Sequence, residues 1–447
     1  MSYPPQSQVN FPPESLRLPL TTHHPVFKTL YIIARLSHLL ILIPLWTAWY
    51  AFPANRNPHR SLFRSRNARG YGQVDGNEDN GPWTLRECVS IRLIKWMMPL
   101  NSKCALAPLS LDKSRLEERP EREREIEKEG KEKMKETGFV WVPPVPREYI
   151  KGVANDSQVK AVKLPAYVWP KDSDLNGGNA EDLVGLWIHG GGYMMGNATE
   201  KYGESEIPRQ LSKSSKIKNI LSIDYRLIHD SPHPGQLLDA LSGYHYLVRT
   251  LGIAPKRVVL IGACAGGNLA MLLTRYLYEE MASGDVTLGM PGAIMLFSPV
   301  LDMAIDLEIH LGLASKRPNT STDMLATSYI PNVRLMGGKN LDFLGSPWLS
   351  SNRASPNSQI YSGYPPTFLS IGSAECLCRE VYQLYELLKG DGVDVEIDVR
   401  EDAVHDFMAF PSTGPSRGGL ITIPNERARV GVMERAAEWV GGLGSRV

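Results

Sequence analysis

Residues 262–266 read Gly-Ala-Cys-Ala-Gly, a thiol flanked on both sides by residues too small to crowd it. Upstream, Val258-Val259-Leu260-Ile261 is a short β-branched run of the kind that forms a buried strand. Downstream, Gly267-Asn268-Leu269-Ala270-Met271-Leu272-Leu273 has the character of a helix with small residues in its first turn. Strand, tight turn and helix in that order lift the central side chain above the end of a sheet, and the glycines let the strained turn form. Such a place suits a nucleophile, here Cys264. The plainer alternative is a chance pentapeptide in which Cys264 is a small buried hydrophobe. A second motif, His189-Gly190-Gly191-Gly192-Tyr193, follows the apolar run Leu183 to Ile188. Consecutive glycines expose backbone N–H groups with no side chain in the way, which suits a loop that meets a developing oxyanion. The alternative there is a flexible glycine turn. Both motifs in one chain favour acyl chemistry, with the N–H groups of Gly190, Gly191, Gly192 and Ala265 as candidate oxyanion donors.

The surrounding elements must hold these two motifs at one end of a sheet. Leu183 to Ile188 and Ile220 to Ile223 have strand character, and Gln236 to Thr250 carries apolar residues at helical spacing. After the elbow come a strand at Ala293 to Phe297, a strand at Thr367 to Ile371 and a helix at Glu380 to Leu388. An alternating strand at Val393 to Val399 and an amphipathic helix at Glu426 to Val440 close the chain. Strands alternating with helices predict an α/β fold, a mostly parallel sheet with helices on both faces.

With both motifs and this alternation, the chain resembles the hormone-sensitive-lipase-like esterases of the α/β-hydrolase fold, over roughly residues 150 to 445. Asp224-Tyr225-Arg226-Leu227 resembles the family's turn after the second motif strand. Ser298-Pro299-Val300-Leu301-Asp302 and Ser346-Pro347 flank a segment that resembles part of the family's helical cap, expected over about 303–360. Two departures stand out. The family's elbow usually reads Gly-Asp-Ser-Ala-Gly, where this chain has Ala263 and Cys264, and Ile228-His229-Asp230 replaces the usual Ala-Pro-Glu. The resemblance implies a base and an orienting acid in the chain order nucleophile, acid, histidine. Of the ten histidines only His310 and His405 follow Cys264. His405 lies where the fold places its histidine, and His310 falls in the cap segment. Glu375, after the strand ending at Ile371, matches the position where relatives carry Asp or Glu. Asp402 and Asp406 flank the histidine as loop charges.

A free thiol has a pKa near about 8.5, which a neighbouring imidazolium and a helix N-terminus both lower. A thiolate–imidazolium pair would attack esters and thioesters and pass through a thioester. Dienelactone hydrolases and polyhydroxyalkanoate synthases of this fold use cysteine at the elbow, and plant gibberellin receptors bind a ligand instead of cleaving one. The resemblance therefore leaves three readings: an ester or thioester hydrolase acting on a lipophilic small molecule, an acyltransferase with a Cys-bound acyl group, and a non-catalytic binding protein. The intact His405, Glu375 and triple glycine favour chemistry, hydrolysis first.

Composition narrows the remaining possibilities. A formal net charge of +1 gives no reason to expect a nucleic-acid partner. Five scattered cysteines form no disulfide framework, and no cofactor or metal motif is present, so neither is expected. From Leu30 to Phe52 the chain is mostly apolar for about the length of a membrane span, ending in Trp46, Trp49 and Tyr50, with Arg35, His38 and Pro44 interrupting it. No small-residue cleavage site follows it, which argues against a signal peptide. A spanning helix, an interfacial helix and a cap helix of the enzyme all fit, and either of the first two makes a membrane lipid surface a partner. Arg56, Arg60, Arg64, Arg66 and Arg69 follow it, placing the catalytic part on the cytoplasmic side by the positive-inside rule. The expected organisation is a disordered 1–29, an apolar helix at 30–52, and a connector at 53–146 with a helix over Trp83 to Leu100 and a solvated charged run at 115–136. The catalytic domain then fills 147–447. The oligomeric state has no signal in the sequence.

Overall fold

The computed structural model describes residues 21, 24–56, 83–104, 119–175, 182–280, 287–321, 323–356, 358–409 and 426–443. The arginines from Arg60 to Arg69 lie outside them, as do most of 1–29 and the start of the charged run. Ten α-helices and eight strands follow one another in the described chain. Helices α1 (Pro25–Ala51), α2 (Leu85–Cys104) and α3 (Pro120–Lys133) precede β1 (Gly138–Val142), β2 (Leu164–Trp169) and β3 (Leu183–Ile188). Then come α4 (Glu206–Ser214), β4 (Ile217–Ile223), α5 (Gly235–His245), β5 (Val258–Ala263) and α6 (Ala265–Glu279). β6 (Ala293–Phe297) leads into an insertion carrying α7 (Ile305–His310) and α8 (Ile330–Met336). The chain closes with β7 (Thr367–Gly372), α9 (Cys378–Gly390), β8 (Val395–Arg400) and α10 (Glu426–Gly441).

The strands form one sheet in the order β1-β2-β4-β3-β5-β6-β7-β8. β1 and β2 run antiparallel to their neighbours, and from β4 onward every pair is parallel. The central strands are apolar on both faces because both faces are covered. Leu186, Leu260, Leu296 and Leu369 point to one side, with α5, α6 and α9. Trp187, Ile261, Met295 and Phe368 point to the other, with α4 and α10.

The expected strands at 183–188 and 293–297 match the structure residue for residue. The expected helix over 236–250 divides, its last five residues forming a π-turn at Tyr246–Thr250. The boundary at 147 needs correction. β1 lies inside the stretch expected to be connector, and it pairs with β2 from Gly138↔Val168 to Val142↔Leu164. Pro165 within β2 and the prolines after Val142 mask both strands in the sequence; such prolines are tolerated near a sheet edge. The charged run is the solvated helix α3, pinned by Ile126, which is 1% exposed.

Helices α1 and α2 form an antiparallel hairpin. Arg35 stacks on Trp96 with its guanidinium carbon 3.8 Å from the ring centroid, and Arg92 Nε donates to Tyr50 Oη at 2.8 Å. At the other end Thr21 Oγ1 donates to the Lys103 carbonyl at 2.9 Å. The hairpin is fastened to the sheet domain. Lys95 Nζ donates to the carbonyls of Thr320 and Asp323, and Tyr50, Trp83, Cys88 and Ile91 pack with Met324, Ala374 and Val404. The other side of α1 is bare: Leu30, Ile33, Leu40, Ile41, Leu45 and Trp49 are all exposed, Leu40 to 80%.

Candidate active site

Cys264 sits between the end of β5 and the start of α6 with φ +50° and ψ −117°. A non-glycine residue there is strained, and the small flanking residues make room for it. A Cβ on Gly266 would run into the Ile188 carbonyl oxygen, and one on Gly262 into that of Gly266. Cys264 N donates to the Phe297 carbonyl at 3.0 Å, and Val300 N donates to the Cys264 carbonyl at 3.0 Å, so the end of β6 and the residues just after it hold the turn on both sides.

His405 and Glu375 come from the turns after β8 and β7. His405 Nε2 lies 3.2 Å from Cys264 Sγ, and Nδ1 lies 3.0 Å from Glu375 Oε2. The other Glu375 oxygen accepts from Ser298 Oγ at 2.7 Å and from Gly372 N at 2.6 Å. Asp323 ties the two turns together, accepting from His405 N at 2.9 Å and from Cys376 N at 2.8 Å. Asn319 Nδ2 donates to the carbonyls of Ser373 and Glu375 at 2.9 and 3.0 Å. His310 stays apart, stacked on Tyr329 with ring centroids 4.1 Å apart.

The glycine loop lies against the thiol, and a Cβ on Gly190 would come 2.7 Å from the Cys264 Cβ. Tyr225 Oη donates to the His189 carbonyl at 2.8 Å, and the two rings stack at 4.3 Å. Tyr193 Oη donates to Asn268 Oδ1 at 2.7 Å, joining the loop to α6. The four expected donors differ in one respect. The Gly190 N–H is taken by the buried Glu204 carboxylate, whereas no acceptor among the described residues takes that of Gly191, Gly192 or Ala265.

The fold and sequence around this thiol have counterparts among known proteins. A family model described as alpha/beta hydrolase fold matches residues 185–409. The chain belongs to that family. Esterase LipU of Mycobacterium tuberculosis is 28% identical over 238 residues, which cover 52% of this chain and 72% of that protein. Carboxylesterase/phospholipase LipF of the same organism is 29% identical over 230 residues, covering 50% of this chain and 56% of its own. The crystal structure of carboxyl esterase 2 from the mycorrhizal fungus Tuber melanosporum superposes with a TM-score of 0.51 at 17% identity. It covers 69% of this chain and 85% of its own.

Within this α/β-hydrolase the electrostatics of the thiol run against the sequence expectation. Burial pushes Cys264 up; His405 opposes the rise, and Asp406 and Glu204 add to it. Sealing the sulfur from water outweighs the imidazole and the helix N-terminus. Burial alone would lower His405, but Asp406 and Cys264 hold it well above the ordinary histidine value. Burial lifts Glu375 to about 7 against the pull of His405. Burial and the nearby Asp406 keep Glu204 well above the usual carboxylate range.

Asp406, expected as a loop charge, has φ +53° and brings Oδ2 to 3.2 Å from His405 Nε2, on the side the thiol occupies. Its adjacency to His405 was the available signal. Glu204, Asp323 and Asn319 join the site from segments singled out by no sequence motif, and Ser298 from the stretch that resembles only a flank of the cap. A cavity of about 430 Å³ lined by Asp302, Arg317, Arg353, Arg379 and Glu380 contains none of the three converging side chains.

Proposed function

We propose that this α/β-hydrolase cleaves carboxylic esters of lipophilic molecules, with Cys264 as nucleophile, His405 as base and Glu375 as orienting acid. The observation that carries the reading is the unbroken contact chain from Cys264 Sγ through the His405 ring to Glu375, at 3.2 and 3.0 Å. The names of the relatives, esterase and carboxylesterase/phospholipase, support the same class. In the first half-reaction Sγ bonds to the ester carbonyl carbon while its proton passes to His405 Nε2. The oxyanion is met by the N–H groups of Gly191, Gly192 and Ala265, with Gly190 held back by Glu204. The C–O bond then breaks, the alcohol leaves with the proton from His405, and water hydrolyses the resulting thioester by the same route.

The same proposal places the substrate at a lipid surface. Helix α1 has 27 residues and is long and apolar enough to cross a membrane. Helix α2 runs beside it from the Tyr50 end to the Thr21 end and carries Arg86, Glu87, Arg92, Lys95 and Lys103. A spanning α1 would draw these charges into hydrocarbon at roughly 2.5–3.5 kcal/mol for each one near the bilayer centre. The hairpin is also bonded to the sheet domain through Lys95. An interfacial helix, its bare face in the leaflet and its inner face on α2, avoids both costs. Five cysteines, all free, support a domain on the reducing, cytoplasmic side.

The test is acylation. Incubated with a short-chain p-nitrophenyl ester and quenched in acid, the protein should gain one acyl mass on the peptide bearing Cys264. Cys264→Ala should lose both the adduct and turnover, while Cys264→Ser keeps hydrolysis. Turnover unchanged in the alanine variant overturns the assignment.

A further inference from the structure

Three soft or anionic ligand atoms converge above the elbow. Cys264 Sγ and His405 Nε2 are 3.2 Å apart, His405 Nε2 and Asp406 Oδ2 are 3.2 Å apart, and all three lie within 4.8 Å of one another. A tetrahedral zinc ion with Zn–S near 2.3 Å and Zn–N and Zn–O near 2.0–2.2 Å needs S···N and N···O edges of about 3.3–3.6 Å. The two short edges are within a few tenths of an ångström of that. Asp406 Oδ1 is buried with no hydrogen-bond partner among the described residues, so this carboxylate has acceptor capacity that none of them uses. The imidazole is also set up as a ligand. Its Nδ1 faces the Glu375 carboxylate, itself fixed by Ser298 and Gly372, and a carboxylate behind a histidine is the usual outer support of a metal-bound ring.

We infer that Cys264, His405 and Asp406 form a site for a thiophilic divalent cation such as Zn²⁺, which binds reversibly and silences the nucleophile. The sulfur is decisive, because thiolate and imidazole together select zinc-like ions, whereas a serine hydroxyl in its place is a poor ligand. Binding requires the thiolate and a neutral ring. One proton therefore leaves the Cys264–His405 pair for solvent, His405 keeps the proton on Nδ1 toward Glu375, and no electron is transferred. The fourth position is left to water. The inhibitory consequence rests on the hydrolytic role proposed above; the binding does not.

The test uses the full chain and two metal ions alone. Titrated with Co²⁺, the protein should develop a near-ultraviolet sulfur-to-cobalt charge-transfer band that saturates at one ion per chain and is displaced by Zn²⁺. Cys264→Ser should lose the band, and Asp406→Asn should weaken binding by about tenfold or more. In the ester assay, micromolar Zn²⁺ should inhibit the native protein, a chelator should restore it, and Asp406→Asn should need about tenfold or more Zn²⁺ for the same fractional inhibition. Millimolar Mg²⁺ should have no effect. An absent band, or binding of equal strength in both variants as judged by a competing zinc indicator, overturns the site. If the band appears but no ester is cleaved, the metal site stands and the hydrolytic reading falls. If ester is cleaved with no band and no zinc effect, the reverse holds.

Discussion

The role proposed for Cys264 requires the groups around it to divide their tasks. In the proposed triad Glu375 orients His405; its carboxylate is anchored by two donors, so its removal should disturb direction more than basicity. His405→Ala should therefore cost several orders of magnitude in kcat, and Glu375→Gln less, with KM nearly unchanged in both. Glu204 has a different task. Its carboxylate holds the Gly190 N–H and thereby the slope of the glycine loop. Glu204→Ala should lower kcat by up to the roughly hundredfold that loss of one oxyanion donor costs, while acylation still occurs at Cys264. A variant with unchanged kcat would mean that the loop is held by Tyr193 and Tyr225 alone. Much of this site could be read in advance. The elbow, triple glycine, His405 and Glu375 each sit at the end of a strand whose apolar run is visible in the sequence. Glu204 and Asp406 could not be assigned, because their importance comes from burial beside the sulfur, which only the packed loops create.

At the scale of elements, the hairpin is the part that distinguishes this chain from a bare sheet domain. The sequence shows that residues 30–52 are apolar, but not that α2 lies along them, because α2 has too many charges to look like a partner. What joins them is local pairing: Arg35 on Trp96, Arg92 on Tyr50 and Thr21 on the Lys103 carbonyl. The strands β1 and β2 escaped notice for a similar reason, since prolines interrupt or bound them while the sheet register still accepts them. If the bare face of α1 meets lipid, Leu40→Asp with Ile41→Asp should release the protein from liposomes in a flotation assay. Both positions are exposed, so the fold should survive. Hydrolysis of a soluble p-nitrophenyl ester should persist, and hydrolysis of a long-chain ester held in vesicles should fall. Native protein that resists alkaline carbonate extraction would favour a span over an interfacial helix.

The whole molecule has a joint where the insertion between β6 and β7 meets the main body, and His233 is its buried pin. His233 N donates to the Leu335 carbonyl at 2.7 Å, its ring lies 5.5 Å from that of Phe343, and Lys339 donates to its carbonyl at 2.5 Å. Burial, with Lys339 beside it, drives the pKa of His233 from 6.5 down to about 3; Asp156 opposes the shift. The folded state therefore binds fewer protons here than the unfolded chain between those two values. The stabilisation is complete above about pH 6.5 and is lost progressively as the pH falls toward 3. Other buried groups titrate in the same window, Glu375 with the opposite sign, so the native curve alone does not isolate the pin. The difference from His233→Leu does, because leucine stays neutral throughout. Between about pH 7.5 and 5.5 the native protein should lose about 1.4 kcal/mol more unfolding free energy than the leucine variant, measured by urea denaturation at each pH. Parallel losses in the two proteins would show that His233 is solvated before unfolding, and that the insertion already opens at its joint in the native state.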